Sequence, residues 1–249
     1  MKTSNNTILI TGGSAGIGLA FAKILSADNK IIITGRNEAR LKAVAAQLSN
    51  TTAIPGDVSD AKDVEALVAT LYRDHKDLNI VINNAGKAAP VYNLGIEGAD
   101  SFTKAGEEML LNYLSVIRLN ERLLPLLKKQ KEAAIVNVTS IVAIAPGGRL
   151  PTYSASKAAL HSYTINLRQH LANTNVKVFE IYPPLVDTEL SAEIGGAVNG
   201  IAPSVVAEDL KKGLEQNLYD IRVGKTAEFY QYYLASPEQA IKAMSGVEA

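Results

Sequence analysis

Apolar positions along the 249-residue chain fall into two alternating textures: short solid runs, and longer stretches apolar at every third or fourth place. The solid runs Thr7–Ile10, Lys30–Thr34, Ala53–Pro55, Leu78–Ile82, Ala134–Val138, Val176–Tyr182 and Ile221–Val223 are rich in β-branched and aliphatic residues. They predict strands buried on both faces. Between them, Leu19–Leu25 predicts a helix, as do Leu41, Val44, Ala45 and Leu48, and then Val64, Leu67, Val68 and Leu71 with Ser59 as the cap. Longer helices are predicted over Glu107–Lys129, with Pro125 a kink near its end, over Tyr153–Ala172, and over Ser204–Leu218. A last helix, about Thr226–Met244, carries Phe229, Tyr230, Tyr233, Leu234 and Ile241 as core or subunit-interface positions. Residues 87–106 are polar and poorly periodic and predict a loop with short helical turns.

Repeated strand-helix units with buried strands predict an α/β fold, a Rossmann-type doubly wound parallel sheet in a single domain spanning 1–249. Within it, 185–203 is expected to be a substrate-side loop and 204–249 a C-terminal helical extension. Such sheets bind ligands beyond the carboxyl ends of their strands, and the polar motifs lie there. Thr11 to Gly18, Thr-Gly-Gly-Ser-Ala-Gly-Ile-Gly, joins the first strand to the first helix. Gly12 suits a tight turn, Gly16 a close approach to a pyrophosphate and Gly18 contact between helix and sheet, with Ser14, Ala15 and Ile17 completing a phosphate cradle at a helix N-terminus. Its spacing differs from Gly-x-Gly-x-x-Gly, and the octapeptide alone also fits a turn with no ligand.

Composition narrows the function. Lys plus Arg and Asp plus Glu both number 25, so net charge points to neither nucleic acid nor an anionic membrane, and a small ligand is expected. The absence of cysteine removes disulfides and thiolate chemistry, and three histidines give little support to a metal site. Met1–Asn6 is polar and leads straight into a strand, and no apolar run approaches a membrane span, which predicts a soluble cytoplasmic protein.

Tyr153 and Lys157 stand four residues apart, one turn along a helix face, a spacing that an ordinary surface pair also shows. Ser140 ends a strand thirteen residues upstream, and Asn112 lies in the preceding long helix. With the glycine loop and Asn83–Gly86, these residues and their spacings resemble the short-chain dehydrogenase/reductase family over nearly the whole chain to about Thr188. Ser154–Ser162 and Pro183–Thr188 look most like the branch containing the reductase-like protein of the D-alanyl-lipoteichoic acid operon.

That resemblance implies that Tyr153 is the general acid or base, that Lys157 lowers its pKa and holds the nicotinamide ribose, that Ser140 binds the substrate oxygen, and that Asn112 anchors a water in a proton relay. A phenol with pKa about 10 needs about 4 kcal/mol to come near 7, which one positive charge about 4 Å away supplies at an effective dielectric of about 20. It also implies cofactor contacts from Asp57 and Val58, from Asn84, Ala85 and Gly86, and from Pro183, Val186 and Thr188. Pro184 stands where the family usually has glycine, which removes a backbone N–H. In NAD users of the family an acidic residue ends the second strand; here that place is Gly35, followed by Arg36 and Asn37, which implies a preference for NADP (NADPH) over NAD. The expected activity is hydride exchange with a small carbonyl or alcohol substrate, in a homodimer or homotetramer packed through the two long helices. The alternative is a catalytically silent NADP-binding regulator or scaffold.

Overall fold

The structure, a computed structural model, describes residues 1–245, so the end of the expected 204–249 extension, 246–249, lies outside the described residues. Seven strands form one sheet: β1 (Thr7–Thr11), β2 (Lys30–Gly35), β3 (Thr51–Pro55), β4 (Ile80–Asn83), β5 (Ala133–Val138), β6 (Val176–Tyr182) and β7 (Asp220–Arg222). Their order is β3-β2-β1-β4-β5-β6-β7 and every pairing is parallel. The chain winds outward from β1 to β3 and then returns to place β4 beside β1, which opens a crevice at the point of reversal.

The helices are α1 (Gly16–Leu25), α2 (Glu38–Gln47), α3 (Ala61–Asp74), α4 (Ser101–Met109), α5 (Ser115–Leu127), α6 (Pro151–His170), α7 (Gly196–Asn199), α8 (Pro203–Gln216), α9 (Lys225–Ala235) and α10 (Pro237–Ser245). Because side chains alternate across a strand, neighbouring residues feed opposite cores. Ile8, Ile10, Ile31, Ile33, Phe179 and Ile181 pack with Phe21, Leu25 and Leu210 on one face of the sheet. Leu9, Ile32, Val81, Ile135 and Val178 pack with Val64, Leu71, Leu119 and Leu123 on the other.

Four local expectations change. The helix expected from Glu107 begins at Ser101, then runs through one π-helical turn at Leu110–Leu114 into α5, with Pro125 in its last turn. The cap of α3 is Asp60, whose carboxylate accepts from Lys62 N at 2.7 Å and Asp63 N at 3.0 Å; Ser59 bonds Asp57 instead. The expected last helix is two, divided at Ser236 (φ −152°, ψ 81°), because a residue before proline is pushed out of the helical region. Its Phe229, Tyr230 and Tyr233 are half-buried, while Leu234 and Ile241 are exposed, so within one chain they are not core. Segment 185–203 is closed at its base by Val186 pairing with Ile201, and holds a 3-10 helix (Glu189–Ile194) and α7. Among the described residues no helix is long and apolar enough to cross a membrane.

Candidate active site

The carboxyl ends of β1, β2, β4, β5 and β6 border a cleft of about 400 Å³. Every residue expected to touch the cofactor lines it except Gly18, which lies just behind. The first wall is the β1–α1 loop. Gly12 (φ +65°) and Gly16 (φ +50°) hold backbone conformations that side-chain-bearing residues rarely adopt. A Cβ on Gly18 would collide with the Gly12 carbonyl, so α1 approaches the loop only through glycine. Ala15 gives α1 no side-chain cap, and the N–H groups of the helix start face the cleft with the polarity an anion needs.

Thr11 pins the second wall. Its hydroxyl accepts from Asn84 N and Ala85 N, both at 2.9 Å, while Asn84 Nδ2 returns to Thr11 O at 2.9 Å. The third wall is the β2–α2 turn. Asn37 caps α2 by accepting from Arg40 N at 2.9 Å, and Arg36 is exposed beside it. At Pro183 the carbonyl accepts from Ile141 N at 2.9 Å, tying the β6 exit to the segment after Ser140; Pro184 also lines the cleft.

At the inner end, Pro151 sits in the first turn of α6 with fixed φ suited to that place, which puts Tyr153 in the same turn and Lys157 one turn on. Lys157, 4% exposed, donates to Val138 O at 2.8 Å, and its Nζ lies 5.7 Å from the centre of the Tyr153 ring. Ser140 follows β5 and accepts from Val142 N at 3.3 Å, with Tyr153 in hydrogen-bonding reach. Asn112 is outside the cleft proper. Fully buried in the π turn, its amide accepts from Lys87 N at 2.8 Å and donates to Lys87 O at 2.8 Å and Ser156 Oγ at 2.9 Å. That amide is a brace between the β4 exit and α6, with both N–H groups engaged and one lone pair of Oδ1 open.

Burial pushes the Tyr153 phenol up, and the buried carboxyl of Glu108 adds to this, while the Ser140 hydrogen bond works the other way. Burial also pushes Lys157 down to about 8, partly offset by the Glu180 carboxylate. Lys157, expected to lower the phenol with the help of an oxidised nicotinamide, does not by itself offset this burial. The ammonium serves Val138 O and the ring face, and the enclosure that weakens its charge also favours the neutral phenol.

Several residues at the site had no individual sequence signal. Glu108 is 1% exposed; one carboxylate oxygen accepts from Ala89 N at 2.7 Å and the other has no partner. Ser156 and Thr11 hold the site through hydroxyls, and Arg40, Glu189 and Leu190 line its outer end. Only the helical spacing Glu108-x3-Asn112, which puts both on one face, hinted at the first. Behind Lys157, fully buried Glu180 bonds His161 Nδ1 at 3.0 Å and raises its pKa. Among the described residues there is no group of three or more His, Cys, Asp or Glu placed to hold a metal.

The short chain dehydrogenase family model matches residues 6–199. The chain belongs to the short-chain dehydrogenase/reductase family. The uncharacterized oxidoreductase DltE of Bacillus subtilis is 40% identical over 226 residues, 89% of each chain. A short chain dehydrogenase from Burkholderia cenocepacia, solved in complex with NADP, superposes over all of both chains with a TM-score of 0.86 and 25% identity. One from Burkholderia phymatum, solved with NAD, has a TM-score of 0.86 over 96% of each chain at 19% identity, which shows the shared fold. The protein is thus an NAD(P)-dependent oxidoreductase of this family, and the glycine cradle, the uncapped α1 start and the inner cluster fit a nicotinamide dinucleotide.

Proposed function

We propose that the protein is an NADP-dependent carbonyl reductase in which Tyr153 is the proton donor. The observation that carries this is the inner cluster: the half-buried Tyr153 phenol beside the Ser140 hydroxyl and one turn from Lys157, where the cleft meets the end of β5 and the start of α6. A neutral phenol is the form that general acid catalysis of reduction requires. Ser140 would hold the carbonyl oxygen by donating its hydroxyl proton, and Tyr153 would deliver a proton to that oxygen as it gains charge. When bound, the dinucleotide supplies the hydride. Lys157 would hold the ribose hydroxyls and the phenol's electrostatics, and Asn112 the position of the Lys87 peptide and Ser156.

Arg36 supports the choice of NADP, since an exposed guanidinium following Gly35 suits a 2′-phosphate that a carboxylate would repel. Exposed Leu110 and Leu114 of the π turn and Ile165 of α6 support a homodimer or homotetramer through these helices. Ketones, aldehydes and alcohols, screened with both cofactors by the absorbance of the reduced nicotinamide, test the reading. Turnover of a carbonyl with NADPH faster than with NADH is expected. A protein that binds NADPH and reduces nothing across the screen would contradict it and mark a binding regulator.

A further inference from the structure

One ion pair spans the outer end of the cleft. Arg40, in the first turn of α2, reaches Glu189, the first residue of the 3-10 helix, through Nη1–Oε2 at 3.1 Å and Nη2–Oε1 at 2.6 Å, across 149 positions of chain. Both residues line the cleft, with Arg36 on the Arg40 side and Thr188 on the Glu189 side. Glu189 is the one carboxylate at this end of a space bordered by the α1 N-terminus and two guanidinium groups, an arrangement that suits an anion and that a polyanion would fill more completely. The guanidinium fork matches carboxylate and phosphate with the same pair of N–H groups, so it serves one fully only by leaving the other. Both partners are well exposed, 43% and 73%, and an exposed pair of this kind is held weakly enough to be exchanged.

Glu189 is also attached to something that can respond. Thr188 and Ser191 bond one another and Ser191 bonds the Val186 carbonyl, so the 3-10 helix is one braced unit that ends at Gly195 in a left-handed conformation. Movement of Glu189 therefore carries the front of segment 185–203 with it.

We propose that Arg40 is a shared cation, exchanged between Glu189 and a phosphate of the dinucleotide, so that Glu189 is a built-in competitor that weakens cofactor binding and couples cofactor occupancy to segment 185–203. This rests on the cleft being the dinucleotide site and needs no assumption about Tyr153.

The test is a double-mutant cycle on the full chain, with dissociation constants for NADPH and NADH measured by calorimetry. Glu189→Gln is expected to tighten NADPH by roughly threefold to fivefold, the range of an exposed ion pair. Arg40→Gln is expected to weaken it, and in the Arg40→Gln background Glu189→Gln should no longer matter. An effect on NADPH alone identifies the 2′-phosphate as the competing group, and an equal effect on NADH identifies the pyrophosphate. Limited proteolysis within 185–203 gives a second readout, with NADPH changing the cleavage rate in the wild type and not in Arg40→Gln. Equal tightening by Glu189→Gln in both backgrounds would overturn the proposal, because it would mean simple repulsion of the cofactor by Glu189. So would no change in either background. A wild type that binds neither nucleotide would overturn the cofactor reading itself, a different failure visible before any variant is made.

Discussion

The two ends of the cleft are built on opposite electrostatic principles. At the outer end Arg36, Arg40 and Glu189 stand in water, and their interactions are screened and exchangeable. Around the inner end Lys157 and, behind the cleft wall, Asn112, Ser156 and Glu108 are each under one-tenth exposed. A side chain changed at the outer end should alter affinity in small graded steps. One changed at the inner end should disturb fold, protonation and chemistry together, because a buried partner left without its hydrogen bond cannot turn to water.

The largest effect is expected from Asn112→Ala. It removes three hydrogen bonds, two to the part-buried Lys87 peptide and one to Ser156 Oγ, which keeps only its bond to Tyr153 O. At about 1 kcal/mol for each of the three bonds lost, the melting temperature should fall by roughly 6–12 °C, with turnover falling further than cofactor affinity. A melting temperature within about 1 °C of wild type would show that this end is not braced as described.

Next comes the pH response of Lys157. Its pKa is about 8 in the fold against an ordinary 10.5, so between those values the unfolded chain holds a proton that the folded one has released. This group's contribution to stability therefore rises with pH through that window. Cofactor affinity should move the other way, weakening as the ammonium is lost. Measured on Tyr153→Phe so that the phenol is silent, a decline of several-fold between about pH 7 and about pH 9 is expected, and it should vanish when Lys157→Met is added. A flat profile in the first protein would contradict the assignment.

The smallest effect belongs to the outer end. Arg36→Ala should weaken NADPH by roughly twofold to threefold, the worth of an exposed ion pair, leaving NADH and the melting temperature unchanged. Equal losses for both nucleotides, by calorimetry, would mean that Arg36 does not read the 2′-phosphate.

What could be read in advance follows the same division. The buried strands announced themselves because parallel strands covered on both faces are solid apolar runs, as Ile31–Ile33 and Ile80–Ile82 are. The β1–α1 loop was legible because Gly12, Gly16 and Gly18 are each required by backbone geometry. The start of α4 was not, since Ser101–Gly106 is polar, with Phe102 turned to solvent. Nor was the π turn, because one extra residue per turn leaves Leu110, Leu111 and Leu114 looking like an ordinary helical stripe. The Arg40–Glu189 pair and the role of Glu108 depend on which distant segments meet, and an isolated charge in sequence says nothing of its partner.

The central claim is that Tyr153 is the proton donor in an otherwise intact binding site, and Tyr153→Phe tests it most directly because it removes one oxygen and keeps the ring. Dissociation of NADPH, followed by fluorescence, and turnover of the best carbonyl substrate are measured on the same preparation. The account predicts an unchanged dissociation constant with turnover lower by about 10² to 10⁴, the usual worth of a general acid. Near wild-type turnover in Tyr153→Phe would contradict it.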